Sequence, residues 1–277
     1  DLNSDGLKEI YFGSDNEALH GYNSFGEELD GFPFESTDRV RSSPAIGDVD
    51  NDGAMEIVFG NSSGKLYIID SDGSRELAYT ILGFIEGSPA LVDIDGDQDL
   101  EIAFTTTTSS GGQLYVIHHN GITVSGFPKE LGPMWAGPAV HDIDNDGLFD
   151  VVVTTYDKEV YAIEANGGTV KPGFPFTAEG RFNTPPTIVD LDNDGDYEIV
   201  VGSKDGDLYV LHHAGTIFAQ YDTGDDIRGG ISVCDLNNDG QLDLLFGGYD
   251  DNVHVWDPVA NELLDGWPVD LGFNILS

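Results

Sequence analysis

The sequence predicts an all-β fold, a β-propeller of six or seven four-stranded antiparallel blades, on three observations. An acidic loop of the form D-x-D/N-x-D-x-x-x-D/E recurs six times. It starts at Asp1, Asp48, Asp93, Asp142, Asp190 and Asp235, at spacings of 47, 45, 49, 48 and 45 residues. Runs rich in β-branched and aromatic residues stand at fixed offsets from each loop, separated by Gly, Asn, Asp and Ser, and no stretch carries the 3.6-residue period of a helix.

The second copy displays the unit element by element. Ser43-Pro44-Ala45-Ile46-Gly47 leads into the loop Asp48 to Glu56, and Ile57-Val58-Phe59-Gly60 reads as a strand. Asn61-Ser62-Ser63-Gly64 is a turn, Lys65 to Asp70 a second strand of that kind, Ser71-Asp72-Gly73-Ser74 another turn, and Arg75 to Leu82 the last strand. Consecutive strands joined by tight turns pair antiparallel, so each unit is a four-stranded meander. A lone sheet of this kind leaves its faces bare, and repeats of ~40–50 residues with four strands cover them by packing radially as blades. The period fills the chain, so residues 1–277 read as a single propeller with no linker. Aligning Gly266-Trp267-Pro268 with Gly126-Phe127-Pro128 leaves positions 138 to 141 without a counterpart before Asp1. The expectation is a ring closed by its two ends, with Ile275-Leu276-Ser277 reaching the first blade; a segment of a longer array is the alternative.

The signature G-F/W-P recurs at Gly31-Phe32-Pro33, Gly126-Phe127-Pro128, Gly173-Phe174-Pro175 and Gly266-Trp267-Pro268, and is missing from the two 45-residue units. Proline suits an edge strand that needs no N–H, and the aromatic can wedge against a neighbouring blade. Cys234 falls where other copies have Gly47, Val92 and Val189, which predicts a small buried strand residue and no disulfide.

Charge narrows the chemistry. The 277 residues carry 51 acids against 11 Lys and Arg, a formal charge of −40, with 39% hydrophobic residues available for a core. That balance opposes a nucleic-acid partner, whose phosphates need Lys and Arg. No apolar run approaches the ~18 residues of a membrane span. Such an acid excess also opposes compaction unless counter-ions sit among the carboxylates.

The loops supply the place for those ions. Positions 1, 3, 5 and 9 carry side-chain oxygens: Asp1, Asn3, Asp5, Glu9; Asp48, Asp50, Asp52, Glu56; Asp93, Asp95, Asp97, Glu101. The remaining sets are Asp142, Asp144, Asp146, Asp150; Asp190, Asp192, Asp194, Glu198; and Asp235, Asn237, Asp239, Asp243. Glycine at position 6, in every copy but the third, where Gln98 stands, permits the sharp reversal that makes alternate side chains converge. Hard oxygens in that number, without His or Cys, suit Ca²⁺, six ions in all. Two carboxylates ~4 Å apart repel by about 4 kcal/mol at an effective dielectric of 20, so three or four within nine residues call for a cation between them.

These residues resemble the FG-GAP/VCBS repeats, which include the calcium-binding N-terminal propeller of integrin α subunits. Phe12-Gly13, Phe59-Gly60 and Phe246-Gly247 follow loops, while Ser43-Pro44-Ala45, Ser88-Pro89-Ala90 and Gly137-Pro138-Ala139 precede them. The resemblance implies a β-propeller, Ca²⁺ between the first two strands of each blade, and an extracellular setting. Integrin-type propellers have seven blades, whereas six motifs are present here.

Three functions compete. The first is an extracellular structural or adhesive module, calcium-stabilised, that binds a protein or glycan. The second is a polysaccharide-active enzyme of lyase type, for which His118-His119, His212-His213, Tyr115, Tyr209 and His141 are the available side chains. The pairs sit at strand ends beside Gly turns, which favours turn-edge histidines, and no catalytic set stands out. The third is self-association as a segment or subunit of an extracellular filament, suggested by loops 1 and 4, 2 and 5, and 3 and 6 lying 141, 142 and 142 residues apart.

Overall fold

A computed structural model describes residues 1–2 and 6–275. The expectations for Asn3, Asp5, Leu276 and Ser277 lie outside the described residues. Every regular element among those described is a strand, so no helix is long and apolar enough to cross a membrane.

The strands form six antiparallel sheets, distributed over two compact units. The first unit comprises Asp1–Pro138 with Ala165–Gly168. Its opening sheet has three strands, β1 (Ile10–Ser14), β2 (Ala18–Tyr22) and β3 (Phe34–Glu35). A full meander follows: β4 (Ala45–Gly47), β5 (Glu56–Gly60), β6 (Lys65–Ile69) and β7 (Arg75–Thr80). The next is β8 (Ala90–Val92), β9 (Glu101–Thr107), β10 (Gly112–Ile117) and β11 (Lys129–Leu131).

The second unit comprises Ala139–Glu164 and Thr169–Ser277. It holds β12 (Ala139–His141), β13 (Asp150–Thr154), β14 (Glu159–Glu164) and β15 (Phe176–Thr177). Then come β16 (Thr187–Val189), β17 (Glu198–Gly202), β18 (Asp207–Leu211) and β19 (Ile217–Asp222). The last sheet is β20 (Ser232–Cys234), β21 (Asp243–Gly247) and β22 (Asn252–Asp257), with β23 (Glu262–Leu263) and β24 (Val269–Asp270) both pairing with β22.

Where both faces of a sheet are covered, as they are for β5 and β6, the middle strands read as continuous apolar runs. Within the first unit, Ile57 and Phe59 pack with Leu19, Phe32 and Val40, while Val58, Leu66 and Ile68 meet Ile102, Phe104, Tyr115 and Ile117. The second unit repeats the scheme, with Val200, Leu208 and Val210 against Leu244, Phe246 and Trp256. Full burial of each such side chain contributes roughly 1.5–3 kcal/mol. In the opening sheet the equivalent outer face is bare: Ile10 and Phe12 are 60% and 45% exposed, and Phe12, His20 and Tyr22 stack on one another.

The G-F/W-P segments behave as expected. Each proline lies at the entry to an outer strand and follows a cis peptide bond. Phe32 is buried between two sheets, and Phe174 packs against the corresponding cluster of the second unit. Gly31 and Gly173 sit so close to the turn of the next sheet that a Cβ would lie 1.8 Å from the Asp72 carbonyl oxygen and 2.0 Å from that of Ala214. Cys234 corrects the sequence reading. It is exposed, because β20, the short first strand of its sheet, is only partly covered.

Candidate metal centres

Each acidic loop from the second to the sixth joins the first strand of a sheet to the second, the first loop leads into β1, and the loop backbone is folded by its own carboxylates. The aspartate at position 1 accepts the N–H of position 6 in all six loops: from Gly6, Gly53, Gln98, Gly147, Gly195 and Gly240, at 2.9–3.2 Å. The acid at position 5 accepts the N–H of position 7, from Ala54, Asp99, Leu148, Asp196 and Gln241. Position 4 adds a requirement that the sequence reading missed. Asn51, Asn145, Asn193 and Asn238 have φ between 54° and 60°, and Gly96 takes this place in the third loop, where Gln98 then occupies the left-handed conformation at φ 82°. Asparagine tolerates that region better than other non-glycine residues.

The ninth residue is the structural pivot. One of its oxygens accepts the N–H of position 2 in every loop: Leu2 on Glu9 (2.8 Å), Val49 on Glu56 (2.7 Å), Ile94 on Glu101 (2.8 Å), Ile143 on Asp150 (3.3 Å), Leu191 on Glu198 (2.9 Å) and Leu236 on Asp243 (2.9 Å). Opening the second strand, these acids are nearly inaccessible; Glu56, Glu101, Asp150, Glu198 and Asp243 are at most 1% exposed. The second oxygens of Glu9, Glu56, Asp150 and Asp243 are buried and have no hydrogen-bond partner. A buried, unpaired carboxylate oxygen is costly, and each of these lies beside further acids of its own loop.

Burial shows in the protonation equilibria. It pushes the Glu56 and Glu198 carboxyls up to about 7, the neighbouring aspartates adding to the shift against the hydrogen bond from position 2. Burial raises Glu101 and Asp243 as well.

The loops differ in what completes them. In the second, oxygens of Asp48, Asp50 and Glu56 all lie within 4.8 Å of one another, as do those of Asp93, Asp95 and Asp97 in the third. The donor chemistry and the orphaned oxygens fit a hard cation. The first, fifth and sixth loops repeat the hydrogen-bonded frame, the first only as far as its described residues show.

The histidine pairs belong to these loops. Across each hairpin the ninth acid faces the last residue of the second long strand or its neighbour, a register that brings His118 Nδ1 to 2.8 Å from Glu101 and His212 Nδ1 to 3.6 Å from Glu198. His119 and His213 lie 3.2 and 3.3 Å from Asp99 and Asp196, the only two acids at position 7. Tyr115 and Tyr209 hydrogen-bond to Gln113 and to Asp205 and Asp207 and sit in the core, while the His141 ring packs at a tilt against Tyr197.

The fourth loop departs from the others. Lys171, 6% exposed, places its Nζ 2.7 Å from Asp144, 3.0 Å from Asp150 and 3.7 Å from Asp146. Burial pulls this ammonium down, but hydrogen bonds to Asp144 and Asp150 and their charges outweigh it, leaving Lys171 above the ordinary lysine value. Burial likewise pushes Asp150 up to about 6, with Lys171 pulling the other way.

Comparison with known proteins fits this architecture. The N-terminal domain of BBS1, solved in complex with ARL6DN, matches with a TM-score of 0.65 at 14% identity, over 100% of this chain and 80% of that one. The C-terminal domain of Pseudomonas aeruginosa PilY1 matches with a TM-score of 0.66 at 12% identity, over 91% and 79%. The WD40 β-propeller domain of Doa1 gives 0.58 at 13%, over 95% and 79%. The fold is therefore that of a β-propeller. No curated protein sequence matches the chain. The sequence profile of the FG-GAP-like repeat matches residues 48–104, 93–153, 142–201 and 190–246, each match spanning two successive acidic loops. With most of its length so matched, the chain belongs to the FG-GAP-like repeat family.

Proposed function

We propose that the chain is an extracellular binding module, a β-propeller whose acidic loops hold Ca²⁺ and whose exposed loops engage a protein or glycan partner. The observation that carries calcium is the ninth acid, with one oxygen spent on the loop backbone and the other buried beside two or three further carboxylates without a partner. Residues at positions 1, 3, 5 and 9 would hold the ion, and the ion would supply the positive charge that the loop lacks. Sites of this kind in extracellular modules have dissociation constants of about 10⁻⁴–10⁻³ M, filled outside cells and empty in the cytosol.

Binding rather than catalysis is favoured by the histidines. His118, His119, His212 and His213 are engaged with loop acids, which leaves them in a scaffold role. The BBS1 domain solved with ARL6DN supports a protein as partner. Self-association into a filament remains a narrower form of the same reading, favoured by the bare aromatic face of the opening sheet.

Because the metal binds the folded state, removing it lowers stability by the binding linkage, about 1–2.3 kcal/mol per site at 5 mM calcium for dissociation constants of about 10⁻³–10⁻⁴ M. The melting temperature is expected to rise by more than 10 °C between EDTA and 5 mM calcium, an effect roughly sized from several such sites acting together. Equal melting in both solutions would remove calcium from the proposal.

A further inference from the structure

Comparing the fourth repeat with its siblings shows where its lysine comes from. Lys171 donates its backbone N–H to Ala162 and accepts from the N–H of Phe174, the aromatic of the G-F-P signature. Leu29, Val124 and Leu264 make the same two backbone bonds in their repeats, to Gly21 and Phe32, to Val116 and Phe127, and to Val255 and Trp267. An aliphatic position in three repeats is thus a lysine in the fourth. Its side chain reaches the adjacent loop, and its Nζ lies within 3.7 Å of carboxylate oxygens from positions 3, 5 and 9.

Those are the oxygens a divalent ion would use. Calcium needs them at 2.3–2.6 Å, and an ammonium 2.7 Å from Asp144 and 3.0 Å from Asp150 stands where that ion would sit. The two cations would also repel at contact distance. Leaving is disfavoured for the lysine, since withdrawing one member of a buried ionic cluster strands the other charges.

We propose that the fourth loop is closed by the Lys171 ammonium in place of a divalent cation, so that this blade carries its own counter-ion and takes no calcium. The proposal rests on the calcium reading for the other loops. The sixth loop shows the contrast: its ninth residue is also an aspartate, Asp243, but Leu264, which has no ammonium to offer, stands at the lysine position.

The test counts calcium bound per chain by equilibrium dialysis at millimolar calcium. Lys171→Leu is expected to bind one ion more than wild type, and Leu264→Lys one fewer. If Lys171→Leu leaves the count unchanged while Glu56→Gln weakens one site at least tenfold, calcium binding stands and the lysine proposal falls. If wild type binds no calcium, the calcium reading fails by itself, and the lysine assignment is decided in EDTA. There Lys171→Leu should raise the unfolding equilibrium constant by on the order of 100-fold in the wild-type background, as for other broken buried ion pairs. In a chain carrying Asp144→Asn and Asp150→Asn it should raise it less than tenfold. Equal costs in both backgrounds would show that the lysine is only packed there and would overturn the assignment. Should Lys171→Leu fail to fold without metal, Leu264→Lys and the wild-type count carry the test in calcium.

Discussion

Glu56 divides its carboxylate between two tasks, holding the Val49 N–H with one oxygen and leaving the other bare among Asp48 and Asp50. The protonation equilibrium of such a group predicts how the metal-free protein responds to pH. In the folded state Glu56 and Glu198 sit near pH 7, above the ordinary glutamate value of 4.5 that the unfolded chain keeps. A raised folded value favours the protonated, folded form, so the associated stability is fully present below about 4.5 and is lost as pH rises through about 7. Metal-stripped protein should therefore melt at progressively lower temperature from pH 5 to 8. Under the proposed calcium binding, the ion would take the ionised form and flatten or reverse that trend; a stripped protein growing more stable across the window would contradict the assignment. The recurring loop acids were legible in the sequence as one periodic set because their spacing is rigid. Lys171 was not, because it comes 21 residues after Asp150 and its meaning appears only when it is set beside Leu29, Val124 and Leu264. The histidines were visible, but their partners were hidden until the hairpin register placed His118 across from Glu101.

At the scale of the element, loops and turns are shaped by a few backbone positions. Gln98 holds φ 82° where five of its equivalents are glycine, a conformation that costs an L residue roughly 1–2 kcal/mol. Gln98→Gly is expected to raise stability by about 1 kcal/mol, read as a shift in urea midpoint without a change in slope. Gly173→Ala should do the opposite, by more than 2 kcal/mol, since it adds a clash with the Ala214 carbonyl to left-handed strain. Gly266→Ala, with open space around its Cβ, should cost only the strain. If the two alanine variants were equally stable, close approach to the neighbouring turn would not be what fixes the signature. The meander was readable from the sequence because strand, turn and strand alternate at short range, and β4 to β7 fall where the second copy predicts them. The burial of Cys234 was misjudged for a different reason. Small size argues for the interior only where a strand is covered, and β20 is only partly covered.

For the whole molecule the governing quantity is a formal charge of −40. Screening length falls from about 10 Å at 0.1 M salt to 3 Å at 1 M, so metal-stripped protein should gain stability with added NaCl while the calcium-loaded form changes little. Identical salt responses, measured by thermal melts of the two forms, would show that loop repulsion is not what calcium relieves. The periodic part of the molecule, six sheets with their acids in register, was legible because repetition multiplies a weak local signal. What repetition conceals is the exception, and the fourth repeat is one. Its lysine has a consequence for the order of events when the chain folds. Where calcium is scarce, five acidic loops oppose closure, but the hairpin of β13 and β14 brings its cation with it from only 21 residues away in the same repeat. That repeat can become native before any ion arrives and serve as the seed on which other strands condense. Hydrogen exchange in EDTA should then find the slowest amides of the chain in β13 and β14, with β5 and β17 matching them only after calcium is restored.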